Sequence, residues 1–232
     1  MIATMARRAI LLDALGTLLE LEPPLPLLQE LMRERHGIQV SDADGWRALR
    51  AEMGHYRANC VRAADAESLL ALRLECAGII AAQLGGDAQE LGAQALLPTL
   101  LDSLRFAPFP EVAPTLARWR ESGLRLVVAS NWDVSLHEVL ERTGLREQLD
   151  AVATSAEVGS AKPAPELFMA ALALADAAPS EAVHVGDSLD EDVAGAQAAG
   201  IEAVWVRRER HRDVEVPPGV TAIATLDELE PA

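Results

Sequence analysis

Ala182-Val183-His184-Val185-Gly186-Asp187-Ser188-Leu189-Asp190-Glu191-Asp192 is the stretch on which the reading of this chain turns. Its first four residues are a short, mostly apolar run of strand length. Gly186-Asp187 ends that run, and a helix is expected from about Asp190 to Ala199, with acidic residues favoured in its first turn. A strand that stops at Gly-Asp and hands over to a helix is one βα step of a parallel sheet. The step recurs in both directions. Upstream, the apolar run Leu124–Ala129 ends in Ser130-Asn131, and Ser135 with Glu138 offers a capping box for a helix that stops at Gly144. Ala151–Thr154 reads as a short strand, and Pro165 opens a helix where proline is tolerated. Downstream, Ile201–Val206 is a strand and Thr221–Thr225 a final edge strand. At the other end of the chain, Ala9–Leu12 is a continuous apolar run that stops at Asp13. The expected fold class is α/β, a Rossmann-like parallel sheet.

Between the first strand and the others lies a stretch with helical periodicity and no good strand candidate. Leu27, Leu28, Leu31 and Met32 fall at helical spacing before a stop at Gly37. Leu69, Leu72, Cys76, Ile79 and Ile80 mark an amphipathic helix, and Leu91 to Leu104 a further one, interrupted or restarted near Pro98. Proline clusters at Glu22–Pro26 and Ala107–Pro110 bracket this block, as at many domain boundaries. The expected organisation is an α/β core of residues 1–20 and 105–232 with an all-helical domain, 21–104, inserted into it.

The chain has 232 residues, ample for a hydrophobic core, and a formal net charge of −16. That acidity argues against nucleic acid or an anionic membrane surface as partner, since both need basic patches. The expected partner is a small molecule, and oligomeric state is not legible. Two cysteines, Cys60 and Cys76, are too few for a disulfide scaffold and read as buried thiols in a reducing compartment. Arg7 and Arg8 precede an apolar run as in a secretion leader, but Asp13 interrupts it, no small-residue cleavage site follows, and no apolar run approaches membrane-spanning length. A cytoplasmic protein is expected. Lys162 is the only lysine among 20 basic residues, which marks it as a side chain kept for its own chemistry.

In open parallel sheets ligands bind at the carboxyl ends of the strands. Those ends carry Asp13, Ser130-Asn131, Lys162 and Asp187 with Asp192. A carboxylate at a strand end, with Gly16 and Thr17 turning the chain behind it, is placed to act as a nucleophile. Clustered carboxylates repel and need cations. Mg²⁺ suits them, because it takes one or two carboxylates and binds substrate phosphate. Lys162 adds positive charge, while the Ser130 hydroxyl and the Asn131 amide would donate to a phosphoryl oxygen. Such a set serves phosphoryl transfer by positioning and electrostatics. His55, Tyr56 and Arg57, in the helical insert, read as surface helix residues. Trp132 and Asp133 read as loop packing and a helix start.

The four segments, in this order, resemble the four motifs of the haloacid dehalogenase-like hydrolases. The most specific are Val158-Gly-Ser-Ala-Lys162-Pro-Ala-Pro-Glu-Leu-Phe168 and Val183 to Ala196. The resemblance runs from Arg8 to about Arg208, with the helical insert at the place of that family's cap. It implies that Asp13 is the nucleophile of an aspartyl intermediate, that Ser130 binds the phosphoryl group, and that Lys162 stabilises nucleophile and intermediate. It further implies Mg²⁺ held by Asp13, Asp187 and the backbone carbonyl of Leu15, with Asp192 supporting that shell, a small phosphorylated substrate, and a cap that closes over the site. One departure stands out. Phosphatases of the family carry a second Asp, the general acid and base, where this chain has Leu15. General acid–base catalysis contributes about 10²–10⁴-fold, so weak turnover is expected. Two alternatives follow from Leu15: a metal-independent 2-haloacid dehalogenase-like enzyme, or a binding or regulatory protein that has lost turnover.

Overall fold

A computed structural model describes residues 7–230, apart from the side chain of Arg210. Met1–Ala6 of the leader-like opening, and residues 231–232 of the expected core, lie outside the described residues. The strands are β1 (Ala9–Leu12), β2 (Leu19–Leu21), β3 (Phe106–Pro108), β4 (Arg125–Ser130), β5 (Ala151–Thr154), β6 (Ala182–Gly186), β7 (Glu202–Val206) and β8 (Thr221–Ile223). Six of them form one sheet in the order β5-β4-β1-β6-β7-β8, parallel throughout, and β2 pairs with β3 in a separate ribbon. The helices are α1 (Pro24–His36), α2 (Asp42–Asn59), α3 (Ala66–Leu84), α4 (Gly86–Ser103), α5 (Val112–Glu121), α6 (Leu136–Arg142), α7 (Ser155–Val158), α8 (Pro165–Ala175) and α9 (Gly195–Ala198).

The chain forms two compact units. One comprises the chain up to Glu20 and from Ala107 onward; the other is Leu21–Phe106. In the first, β1 lies between β4 and β6, and all four of its residues are wholly buried. An unbroken apolar run is what a strand covered on both faces requires. Leu11, Val127, Ala129 and Trp205 pack with Leu167, Phe168 and Ala171 of α8 into one core. In the second unit, α1–α4 bury Leu28, Met32, Leu49, Leu72, Ile80 and Leu100 together. Cys60 and Cys76 are buried there and are not joined by a disulfide.

Three local expectations are corrected. The interruption of α4 falls at Gly92, with φ 75°, and not at Pro98. A positive φ is open to glycine at no steric cost, so the helix breaks there and restarts, with Pro98 in the second turn beyond. Ser135 makes no capping box with Glu138, because Ser135 already has helical dihedrals and its hydroxyl cannot reach back. The Asp133 carboxylate does the work instead, accepting the Ser135 N–H at 2.7 Å. The helix after β6 does not begin as a regular α-helix. Leu189–Ala194 is a π-turn in which the N–H groups of Asp192 and Val193 both donate to the Ser188 carbonyl, and α9 follows it. The wider turn is a device found often at functional sites.

Candidate active site

β1, β4 and β6 are adjacent and run in the same direction, so Asp13, Ser130 and Asp187 emerge at one edge of the sheet. Lys162 comes to the same place by a loop, and Asn131 secures it. The Asn131 side-chain oxygen accepts the Lys162 backbone N–H at 2.7 Å, and its amide donates to the Lys162 carbonyl at 3.0 Å and to Glu191 at 3.2 Å. The Lys162 side chain then enters the core, where its ammonium donates to Asp13 Oδ1 (2.7 Å), Asp192 Oδ1 (2.5 Å) and the Ala129 carbonyl (2.9 Å). Ser130 Oγ donates to the same Asp13 Oδ1 at 3.0 Å. The Ser130 and Lys162 donors to Asp13 thus both sit on Oδ1, leaving Oδ2 as the oxygen without one among the described residues.

Asp192 is held from three directions. Oδ1 takes the Lys162 ammonium and the ring N–H of His184 at 2.9 Å, and Oδ2 takes the Ser188 backbone N–H at 3.0 Å. It lies directly over Gly186, where a Cβ would stand 2.1 Å from the Asp192 Cγ. The glycine in Gly186-Asp187 is therefore required by close approach of a carboxylate. Asp187 is held from behind, its carbonyl accepting the Trp205 indole N–H at 2.9 Å.

Charge sets the protonation states. Burial pushes the Asp13 carboxyl up from its ordinary value, against the pull of Lys162. Burial would raise Asp192 also, but the Lys162 ammonium and the His184 N–H outweigh it and hold that carboxyl well below the usual range. Burial opposes charge on Lys162, yet the two carboxylates overcome it and keep the ammonium above its ordinary value. His184 is fully buried, and burial lowers it. Among the described residues its Nδ1 has no partner. A second proton there would be a buried donor with no acceptor, so the ring is neutral with its proton on Nε2. Asp13, Asp187 and Asp192 offer ligand oxygens within 4.8 Å of one another. Three carboxyl groups thus crowd around the one ammonium of Lys162, a concentration of acidic oxygens that a bound cation would stabilise.

A family model, that of the haloacid dehalogenase-like hydrolases, matches residues 7–200. The chain belongs to this family. Among curated relatives, it is 41% identical over 109 residues to a glyceraldehyde 3-phosphate phosphatase of Methanopyrus kandleri, covering 47% of each chain. It is 42% identical over 116 residues to a phosphoserine phosphatase of Thermus thermophilus, covering 49% of this chain and 47% of that one. The chain spans about half the length of the curated relatives it matches. Among solved structures, a HAD phosphatase from Thermococcus onnurineus superposes with a TM-score of 0.63 at 28% identity over 95% of both chains. A 2-haloacid dehalogenase from Pseudomonas syringae gives 0.66 at 24% identity over 96% of both, a likeness of fold.

Within this hydrolase fold the structure brings Asp13, Ser130, Lys162, Asp187 and Asp192 together. Asn131 stands beside them, but both donors of its side-chain amide are engaged by Lys162 and Glu191, so the side chain holds the loop that carries Lys162. His55 lies in the other unit, paired with Glu75 at 2.8 Å. His184 is the member of the network that the sequence reading passed over. A histidine in an otherwise apolar strand was the available signal, and only the π-turn folding Asp192 back over β6 gives it a partner.

Proposed function

We propose that this hydrolase is a Mg²⁺-dependent phosphatase of a small phosphorylated metabolite, working through an aspartyl-phosphate on Asp13. The observation that carries the reading is the single buried ammonium of Lys162 shared between Asp13 and Asp192, in a cluster where Asp13, Asp187 and Asp192 offer ligand oxygens within 4.8 Å of one another. The donor set fits the ion: the candidate ligand group found among the described residues is three carboxylates, hard oxygen donors with no sulfur or imidazole among them. Asp13 and Asp187 would hold Mg²⁺ together with the Leu15 carbonyl, and Asp192 would support them. When bound, the ion neutralises charge on the transferred phosphoryl group.

The side chains supply the remainder. Lys162 and Ser130 fix Asp13 through Oδ1, so that Oδ2 is the oxygen presented to phosphorus. A bond forms between Oδ2 and phosphorus as the ester P–O bond breaks, and the alcohol oxygen leaves with the electron pair. Water then attacks the phosphorus of the acyl phosphate, releasing inorganic phosphate as the carboxylate leaves with the electron pair of the O–P bond. The proton that water gives up passes to solvent, offsetting the one the departing alkoxide takes from it. Lys162 stays charged throughout and balances Asp13 before and after transfer. Leu15 moves no proton, so a leaving group that needs none is turned over best. The relatives named as phosphatases support the reaction class, and the acidic charge supports small molecules over nucleic acid as substrate. Two buried cysteines outside any disulfide suit the reducing cytoplasm, where we place the protein.

The test is phosphate release from p-nitrophenyl phosphate and acetyl phosphate, with Mg²⁺ and with chelator. Turnover should require Mg²⁺, vanish in Asp13→Asn and rise in Leu15→Asp. Full activity in Asp13→Asn overturns the mechanism. Halide release from a 2-haloacid that is indifferent to chelator would assign the site to the dehalogenase chemistry that Leu15 also suits.

A further inference from the structure

Arg208 lies just beyond β7, in the same unit as Asp13, and its side chain is 10% exposed. Its guanidinium makes three hydrogen bonds. Nη1 donates to Glu111 Oε1 at 2.6 Å, Nη2 to the Thr17 carbonyl at 2.7 Å, and Nε to the Gly16 carbonyl at 3.3 Å. Its Cζ sits 3.7 Å from the centre of the Phe109 ring. Gly16 and Thr17 belong to the turn immediately behind the nucleophile, where Gly16 has φ 90°.

The backbone carbonyls of that turn can be followed one by one. The Ala14 carbonyl accepts the N–H groups of Thr17 (3.3 Å), Leu18 (2.9 Å) and Leu19 (2.9 Å), and the Leu19 carbonyl accepts the Gly16 N–H at 2.6 Å. The Leu18 carbonyl accepts the Phe109 N–H at 3.1 Å. Gly16 and Thr17 have their carbonyls capped by Arg208. Among the described residues, the carbonyl of Leu15 alone in residues 14–19 receives no donor. Buried carbonyls are satisfied almost without exception, so the turn keeps this form only while something supplies the two donors that Gly16 and Thr17 need. A planar fork reaches both at once, and Glu111 balances its charge.

We propose that Arg208 is a positioning residue, which clasps the turn behind Asp13 through two adjacent carbonyls and thereby keeps the Leu15 carbonyl open as a cation ligand. The inference rests on the Mg²⁺ reading of the site. It predicts that loss of the clasp loosens the turn, weakens Mg²⁺ and lowers kcat while leaving KM nearly unchanged.

The test compares wild type, Arg208→Met and Arg208→Lys in three measurements. The first is amide hydrogen exchange of residues 16–19 in metal-free protein. The second is Mg²⁺ binding by calorimetry without substrate, and the third is kcat and KM for p-nitrophenyl phosphate. In Arg208→Met the turn amides should exchange roughly tenfold faster or more, as expected on losing hydrogen bonds to a charged group. Mg²⁺ affinity should fall by about 10- to 100-fold, the usual range when a group behind a metal ligand is lost. Arg208→Lys, which keeps the charge and one donor direction, should recover part of both. If Arg208→Met does not fold, Arg208→Lys alone carries the three comparisons. Wild-type exchange at residues 16–19 in the variants overturns the clasp, as does weakened stability with unchanged Mg²⁺ affinity and kcat. If wild type binds no Mg²⁺, the metal reading and the ligand role of Leu15 fall together, and the exchange data still decide whether Arg208 holds the turn.

Discussion

Replacing Lys162 by methionine keeps the length and apolar stem of the side chain and removes the one cation of the cluster. The ammonium is 1% exposed, and Asp192 beside it is 2% exposed, so water cannot take its place. Losing one partner of a buried ion pair costs about 3–5 kcal/mol, because the other charge stays buried and unpaired. Two carboxylates share this ammonium, which sets the expectation near the upper end of that range at neutral pH. The pH dependence follows from the direction of each shift. In wild type Asp192 lies well below its unfolded value, so its contribution is present above about pH 4 and is lost only as pH falls through that lower folded value. Lys162 lies above its ordinary value, so its contribution is full below about pH 10 and is lost as pH rises past that. In Lys162→Met the carboxyls must take up protons to remain buried. The deficit against wild type should therefore be large near pH 7 and shrink as pH falls into the ordinary carboxylate range, about 4. Urea unfolding of metal-free protein followed by tryptophan fluorescence measures it, since Trp119, Trp132 and Trp205 are buried in this unit. A deficit below about 1 kcal/mol, the worth of a surface ion pair, would refute the reasoning. So would a deficit that is the same at both pH values.

Gly186→Ala places a Cβ 2.1 Å from the Asp192 Cγ. It should destabilise the protein by about 1–3 kcal/mol or somewhat more, as overpacking does, and weaken Mg²⁺ binding, read by calorimetry beside thermal unfolding. Thr17→Val should behave in the opposite way. Thr17 is fully buried and its hydroxyl has no partner among the described residues, so an apolar side chain of the same shape should leave the unfolding midpoint unchanged or raise it. A clear loss of stability would show that the hydroxyl is bonded in solution.

Much of the site could be read in the chain because three of its residues, Asp13, Ser130 and Asp187, stand at strand ends. Asp13 follows an apolar run, Ser130 ends another, and Asp187 sits after glycine at the end of a third. Local pattern marks such ends, and the right-handed parallel connection then brings them to one edge. Lys162 was conspicuous by composition alone. The strands are legible for the same reason: β1 is covered on both faces, so its sequence has no polar alternation to hide it. Helix starts were less legible. Thr154 and Glu157 form a genuine capping box that opens α7, while the similar Ser135-Glu138 pair forms none, because dihedral angles decide which hydroxyl reaches an N–H.

Sequence by itself determined the α/β class, the order of the motifs and the identity of the charged groups at the strand ends, since all of these follow from short-range pattern and chain order. Tertiary structure alone decided how those groups are wired. Asn131 binds the backbone of a residue 31 positions away, His184 meets Asp192 only because a π-turn folds back over β6, and Arg208 reaches Gly16 across 192 positions. Each depends on a distance between segments remote in the chain. No periodicity in the sequence encodes such distances, and they are set when the sheet closes and its loops are packed.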